Sequence, residues 1–197
     1  MEFTILTAEN YKTMLWSGGK TTQLYIYPPT ANYEERDFDF RLSTAKVETE
    51  KSDFTSLPGV SRKIMVLEGE MLIHHENHHC KKLNKFEMDK FEGDWKTSSK
   101  GKCSDFNLMT RNETFGELLS VEIKKNKYFN FSLKEIWNWL FVYAFDGKIS
   151  IEIDTKTQLL NRSDLLIISK AHSQNIRFQG IENSQLIFTK IALPISK

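Results

Sequence analysis

The alternation of apolar and polar residues along the chain predicts an all-β protein. From Phe38 onward the two kinds of side chain alternate with a period of two. A strand with this period places Phe38, Phe40 and Leu42 on one face and Arg41 and Ser43 on the other. Farther along, Asp105, Asn107 and their neighbours repeat the pattern, so an acid and an amide share one face of a second strand.

An apolar run from Ile64 to Leu67 is followed by Glu68 and Gly69 and then by a second apolar run that begins at Met71. This pattern predicts a β-hairpin with a tight turn. It returns in W-N-W-L-F-V-Y-A-F-D-G-K-I-S-I-E-I, where Asp146 and Gly147 supply the turn. We therefore predict two copies of one β-rich module.

The repeat suggests two domains, a first barrel over residues 1–120 and a smaller second barrel over residues 121–197, with N-terminal strands that both could share. Lysines at positions 124, 125 and 127 mark a solvated link between them. The one helix signal is the capping-box spacing of Ser132 and Glu135. The aromatic residues that follow favour a strand equally, so little helix is expected.

Composition narrows the classes of partner. Of 197 residues, 40% are hydrophobic and 12% aromatic, which is ample for a core. Lysine and arginine (27) nearly balance aspartate and glutamate (26), so no field attracts nucleic acid or an anionic membrane. Without an export signal or an apolar run of about 20 residues, the chain is expected in the cytoplasm, with Cys80 and Cys103 as reduced thiols.

Four of the five histidines, His74, His75, His78 and His79, flank a predicted turn. Imidazole is a common ligand of transition metals. Adjacent strand residues point to opposite faces, however, so at most about two of these rings can converge. A histidine-rich surface turn is the favoured interpretation, and a metal held by these rings stays open as a third hypothesis.

Several short segments together resemble the HutD/Ves family. They are W-S-G-G-K-T-T at 16–22, F-R-L-S-T-A at 40–45, F-T-S-L-P-G-V-S-R at 54–62, V-L-E-G-E at 66–70 and D-F-N-L-M-T-R at 105–111. The resemblance implies a bicupin, that is, two double-stranded β-helix (jelly-roll-like) barrels packed together in one cytosolic chain. It also implies an association with histidine utilisation or stress, without an established catalytic activity.

The cupin metal motif, G-x5-H-x-H-x3,4-E-x6-G, can be compared with this chain. Anchoring its last glycine at Gly69 places its glutamate position on Arg62 and leaves no ligand. In the second module the expected histidine position falls on Gln174, and His172 lies two residues too early. A cation at Arg62 repels a metal and attracts an anion, so we expect a site without metal or other cofactor.

The leading hypothesis is that the protein binds a small anionic metabolite. Arg62 and Arg41 would hold a carboxylate, and Asp105 and Asn107 would recognise a donor or orient an arginine. The remaining candidate site residues are Ser43, beside Arg41, and a rim of Trp16, Thr21 and Thr22. The family resemblance suggests histidine, urocanate or a formylated glutamate as ligand, and a homodimer is left open.

The alternative hypothesis is a metal-independent isomerase or hydrolase in which Asp105 is the general base and an arginine stabilises an oxyanion. No nucleophile with an obvious base supports it. A buried pair of Asp105 with an arginine could also be only structural.

Overall fold

A computed structural model describes residues 2–153, 156–169 and 175–194, and it confirms the all-β prediction. The described residues form nineteen strands and one short 3-10 helix, Ala8–Asn10. The strands are β1 (Glu2–Leu6), β2 (Lys12–Trp16), β3 (Gly19–Tyr27), β4 (Phe40–Val47), β5 (Lys51–Asp53), β6 (Ser61–Gly69), β7 (Met71–His75), β8 (Cys80–Leu83), β9 (Met88–Glu92), β10 (Thr97–Lys100), β11 (Cys103–Thr110), β12 (Phe115–Ile123), β13 (Tyr128–Ser132), β14 (Trp139–Asp146), β15 (Lys148–Ile153), β16 (Lys156–Asn161), β17 (Leu165–Ser169), β18 (Asn175–Gly180) and β19 (Ser184–Ala192).

The chain divides into two compact units, residues 11–114 and residues 1–10 together with 115–197. The boundary expected after residue 120 would fall inside β12. The first strand, β1, belongs to the C-terminal unit because it pairs with β17 in antiparallel register, from Glu2 opposite Ser169 to Leu6 opposite Leu165.

Both units repeat one strand order. In the N-terminal unit a six-stranded sheet has the order β2-β3-β4-β11-β6-β9, and a four-stranded sheet has the order β5-β10-β7-β8. The C-terminal unit has β12-β19-β14-β17, with β1 at the edge, and β13-β18-β15-β16. Strands β4–β11 of the N-terminal unit thus correspond one by one, in chain order, to strands β12–β19 of the C-terminal unit. The sequence repeat is therefore a repeat of the jelly-roll topology.

The predicted hairpins are wrong at both places. Strands β6 and β7 belong to different sheets, and so do β14 and β15. At Gly69 the chain turns a corner with φ of 76°, where a Cβ atom would lie 2.6 Å from the Lys102 carbonyl oxygen. A tight turn therefore carries the chain from one sheet to the other, which turn residues alone do not distinguish from a hairpin.

The other local predictions have simple outcomes. The segment after Ser132 forms a turn before β14 and contains no helix in the part of the chain that the structure describes. The two cysteines are free, with Cys80 exposed and Cys103 buried. Among the described residues, no helix is long and apolar enough to cross a membrane. His172 and Gln174 lie outside the described residues.

Candidate ligand-binding site

Three adjacent strands of the six-stranded sheet point their polar residues into one cavity. Register places Met109 of β11 between Arg41 of β4 and Arg62 of β6. Because alternate residues share a face, Ser43 and Asn107, which are also paired, face the same cavity. Its volume is about 360 Å³, and its polar lining comprises Thr21, Arg41, Ser43, Arg62, Ser99, Asp105 and Asn107, among others.

Arg41 is only 2% exposed. Its Nε donates a hydrogen bond to Gln23 Oε1 over 2.8 Å, and its Nη1 donates to Ser43 Oγ over 3.2 Å. The guanidinium carbon lies 4.2 Å from the centre of the Tyr33 ring. The buried Nη2 has no hydrogen-bond partner among the described residues. Burial lowers the pKa of Arg41, yet arginine stays protonated in proteins.

Arg62 is held in a similar way on β6, on the other side of β11, with 7% of its surface exposed. Its Nη2 donates to Asn107 Oδ1 over 3.1 Å. The guanidinium carbon lies 4.9 Å from the ring centre of Phe54 and 5.0 Å from that of Phe91. Its Nε is buried without a hydrogen-bond partner in the described chain. Burial lowers the pKa of Arg62 to about 10, so this group is also a cation at neutral pH.

Asp105 is a buried acid that lines the same cavity as the two arginines. Its Oδ1 accepts a hydrogen bond from Asn107 Nδ2, so the amide lies between the carboxyl group and Arg62. Among the ion pairs of the described residues, none joins Asp105 to an arginine. Burial raises the pKa of Asp105 to about 7, although Arg62 and the Asn107 hydrogen bond oppose this rise. The two guanidinium charges are therefore only partly balanced.

The raised pKa of Asp105 predicts that the stability of the protein depends on pH. In the folded state Asp105 keeps its proton up to about pH 7, whereas the ordinary value is 3.8. The folded protein then holds more protons than the unfolded chain within this window, so the Asp105 contribution to the free energy of unfolding falls as pH rises through it. We expect Asp105→Asn to remove this dependence of the free energy of unfolding on pH. The free energy of unfolding of the variant, minus that of the wild type, should therefore rise from pH 4 to pH 7 when both are measured by urea titration.

The matched control is Asp53→Asn, because Asp53 is an exposed acid at the same cavity. Its stability difference from wild type should show no comparable rise between pH 4 and pH 7. Parallel curves for Asp105→Asn and wild type would contradict the raised pKa.

The structure brings together most of the site residues that the sequence suggests. Arg41, Ser43, Arg62, Asp105 and Asn107 line the cavity together with Trp16 and Thr21. The prediction that Thr22 belongs to the rim needs correction. Its hydroxyl lies 2.9 Å from that of Thr13, and the residue does not line the cavity. Since neighbouring strand residues face opposite sides, Thr21 and Thr22 could not both belong to the rim.

Sequence reasoning missed the aromatic residues that cover the two arginines. Tyr33 comes from the polar loop before β4, and Phe54 follows β5. Neither position lies in an alternating pattern that would assign it to a face. Gln23 could have been found, because it lies two residues after Thr21 on the same strand and pairs with Ser43.

Comparison with known proteins identifies the family. The HutD family profile matches residues 8–188. The chain belongs to the HutD family. No curated protein sequence matches the chain.

Solved structures show the cupin fold of this HutD-family chain. A conserved protein of unknown function, PA5104 from Pseudomonas aeruginosa PAO1, is 22% identical with a TM-score of 0.86, and the match covers 98% of this chain and 100% of that one. HutD from Pseudomonas fluorescens SBW25 is 21% identical with a TM-score of 0.71 and coverage of 98% and 100%. Oxalate decarboxylase from Lactobacillus farciminis, a formate complex, is 8% identical with a TM-score of 0.71 and coverage of 98% and 87%.

Proposed function

We propose that this HutD-family protein binds a small carboxylate in the cavity of its N-terminal unit, without a metal ion. The observation that carries the proposal is the pair of buried arginines, Arg41 and Arg62, that line one cavity. Each retains a buried N–H group with no hydrogen-bond partner among the described residues.

The electrostatics favour an anion. A buried charge is costly unless it is paired, and neither guanidinium has a carboxylate of the protein within ion-pair distance in the described chain. A ligand carboxylate accepts two parallel N–H bonds from an arginine and removes this cost. Below pH 7 the protonated Asp105 carboxyl can donate a further hydrogen bond to it.

The walls of the cavity favour a ligand with a flat or apolar part. Met14, Leu15, Trp16, Tyr33 and Phe54 contribute to the lining. Aromatic and apolar walls with a few placed polar groups are typical of small-molecule sites. Histidine, urocanate and formylated glutamate each combine a carboxylate with a further polar or planar group. Formate accompanies two of the related structures, the HutD of Pseudomonas fluorescens, solved in a formate condition, and oxalate decarboxylase.

The test is calorimetric titration with matched pairs of compounds. Formate, urocanate, L-histidine and N-formylglutamate are compared with histamine and with the amide of urocanate, which lack the carboxylate. We expect one carboxylate to bind per chain, and the matched neutral or cationic compound to bind at least about tenfold more weakly, because charge-assisted hydrogen bonds are lost. Equal affinity for urocanate and its amide would overturn the proposal.

The biological role that we propose is regulatory. Binding of a metabolite of histidine utilisation, or of a stress response, would set the level of that pathway in the cytoplasm. The near balance of 27 basic and 26 acidic residues is consistent with a small-molecule partner rather than nucleic acid.

A second candidate function is metal-independent catalysis with Asp105 as acid and base. One observation favours it: a buried carboxyl group whose pKa is about 7 can both accept and donate a proton at neutral pH. Arg62 would then stabilise a developing oxyanion. Turnover of any carboxylate that binds, lost in Asp105→Asn while binding is retained, would establish this function. Binding without turnover at pH 6, 7 and 8 would leave the binding role alone.

A further inference from the structure

Two of the four clustered histidines come together with an aspartate, away from the carboxylate cavity. His75 ends β7, His79 follows the turn, and Asp89 lies on β9. One nitrogen of each imidazole and one carboxylate oxygen all lie within 4.8 Å of one another. None of the three residues lines the cavity between Arg41 and Arg62.

The His75 ring carries a buried lone pair. Its Nδ1 lies 2.8 Å from Thr97 Oγ1, and that hydroxyl donates its hydrogen to the Trp95 carbonyl oxygen over 3.1 Å. When that hydroxyl hydrogen is on the Trp95 carbonyl, the His75 tautomer with its hydrogen on Nδ1 donates to Thr97 and has its lone pair on Nε2. This Nε2 is buried and makes no hydrogen bond to the described residues, although Asp89 Oδ2 lies 3.4 Å away.

His75 Nε2 and Asp89 Oδ2 thus lie 3.4 Å apart without a hydrogen bond of ordinary geometry between them. Asp89 is fixed in this position, because its Oδ1 accepts a hydrogen bond from the Lys90 backbone N–H over 2.9 Å. Its Oδ2 accepts a hydrogen bond from His79 Nε2 over 2.8 Å. A cation between Oδ2 and the two imidazoles would give His75 Nε2 the partner that it lacks and would replace the hydrogen bond between His79 and Asp89.

The distances suit a tetrahedral metal ion. Zinc binds histidine nitrogen and carboxylate oxygen at about 2.0–2.2 Å, which corresponds to about 3.4 Å between neighbouring ligand atoms. The separation of His75 Nε2 and Asp89 Oδ2 is 3.4 Å. The His79 ring has to turn away from Asp89 and carry its hydrogen on Nδ1 before its Nε2 can bind an ion, and 39% of its side chain is exposed. The hydrogen bond that His75 Nδ1 donates to Thr97 Oγ1 orients the ring, as a supporting residue does in metal sites.

We propose that His75, His79 and Asp89 bind one divalent transition-metal ion of the zinc class, with solvent as the fourth ligand. Imidazole nitrogen and one carboxylate oxygen favour zinc, cobalt or nickel over magnesium or calcium. Solvent reaches the ion on the exposed side of His79. Lys81 is the nearest competing cation, yet its Nζ is 4.0 Å from Asp89 Oδ1 and donates to the Met88 carbonyl oxygen over 2.8 Å.

The test uses untagged protein that has been stripped with a chelator. Zn²⁺ is titrated by calorimetry, and Co²⁺ serves as the optical probe because its visible bands report a tetrahedral nitrogen and oxygen ligand set. Trp95 gives a second readout, since its ring centre lies 5.5 Å from that of His75 and 5.9 Å from that of His79. We expect one ion per chain, tetrahedral Co²⁺ bands and partial quenching of the tryptophan fluorescence by Co²⁺, since Trp95 is one of four tryptophans.

Two variants remove ligands and one serves as the matched control. His79→Ala and Asp89→Asn are expected to weaken Zn²⁺ binding by at least about tenfold, and both remain folded if their circular dichroism is unchanged. His74→Ala removes an exposed histidine of β7 on the opposite face from His75 and should leave the affinity unchanged. Absence of stoichiometric binding by the wild type, or an equal loss in His74→Ala, overturns the proposal.

Discussion

Replacing Arg62 by methionine is expected to weaken carboxylate binding by at least about a hundredfold. Each hydrogen bond between charged groups contributes about 1.5–3 kcal/mol, and the bidentate contact that we propose contains two. Methionine replaces the aliphatic part of the arginine side chain but donates no hydrogen bond. Calorimetry with the carboxylate that binds best to the wild type measures the effect, and affinity within about threefold of wild type would remove Arg62 from the site.

The same variant separates a binding role from a structural one. Arg62 is buried and its only hydrogen bond in the described chain is to Asn107. Replacing a buried charge by an apolar side chain is often neutral or stabilising, whereas Asn107 loses a partner at a cost of about 1–3 kcal/mol. These effects oppose each other, so the free energy of unfolding should change by less than about 1.5 kcal/mol. A loss above about 3 kcal/mol would indicate a structural role.

Lys63→Met is the matched control for Arg62→Met. Lys63 is the next residue of β6 and faces the other side of the strand, so the substitution removes one positive charge close to the site without changing the cavity. We expect the carboxylate affinity to change by less than about threefold, since charges near the surface are screened by salt. An equal loss in both variants would mean that the net charge, and not the Arg62 contact, holds the ligand.

The shared face of the polar residues within β4 and within β11 was predictable, because strand periodicity depends on local sequence alone. Arg41 and Ser43 were placed on one face, as were Asp105 and Asn107, and these faces do meet in one cavity. Asn107 lies between Arg62 and Asp105 because of the register of β6 against β11. Residues far apart in sequence determine this register. Tyr33 and Phe54 cover the arginines from irregular segments of the chain. Such segments have no periodic pattern of apolar residues from which their contacts could be predicted.

The turn at Gly69 shows a second limit of sequence reasoning. Glycine with a positive φ is required both in a hairpin and where a strand leaves one sheet for another. The distinction lies in the long-range partners, since β6 pairs with β9 and β11 whereas β7 pairs with β8 and β10. The repeat itself was predictable, because both corners carry the same kind of turn, at Gly69 and Gly147.

The largest loss of stability is expected for Phe188→Ala in the C-terminal unit. Phe188 is fully buried on β19, and its ring centre lies 5.0 Å from that of Phe131, 5.3 Å from that of Phe178 and 5.8 Å from that of Phe129. Removing a buried phenylalanine ring costs about 3–5 kcal/mol, because transfer free energy is lost and a cavity is left. Urea unfolding followed by circular dichroism measures this loss.

Phe115→Ala gives the matched comparison, because it removes the same ring from a side chain that is 52% exposed in the same unit. Its contact with Trp137, at 5.8 Å between ring centres, limits the expected loss to about 1 kcal/mol. Equal losses in the two variants would show that the aromatic cluster around Phe188 relaxes to fill the space. All residues that line the cavity of Arg41 and Arg62 belong to residues 11–114, so Phe188→Ala protein that is still folded should bind the proposed carboxylate with wild-type affinity.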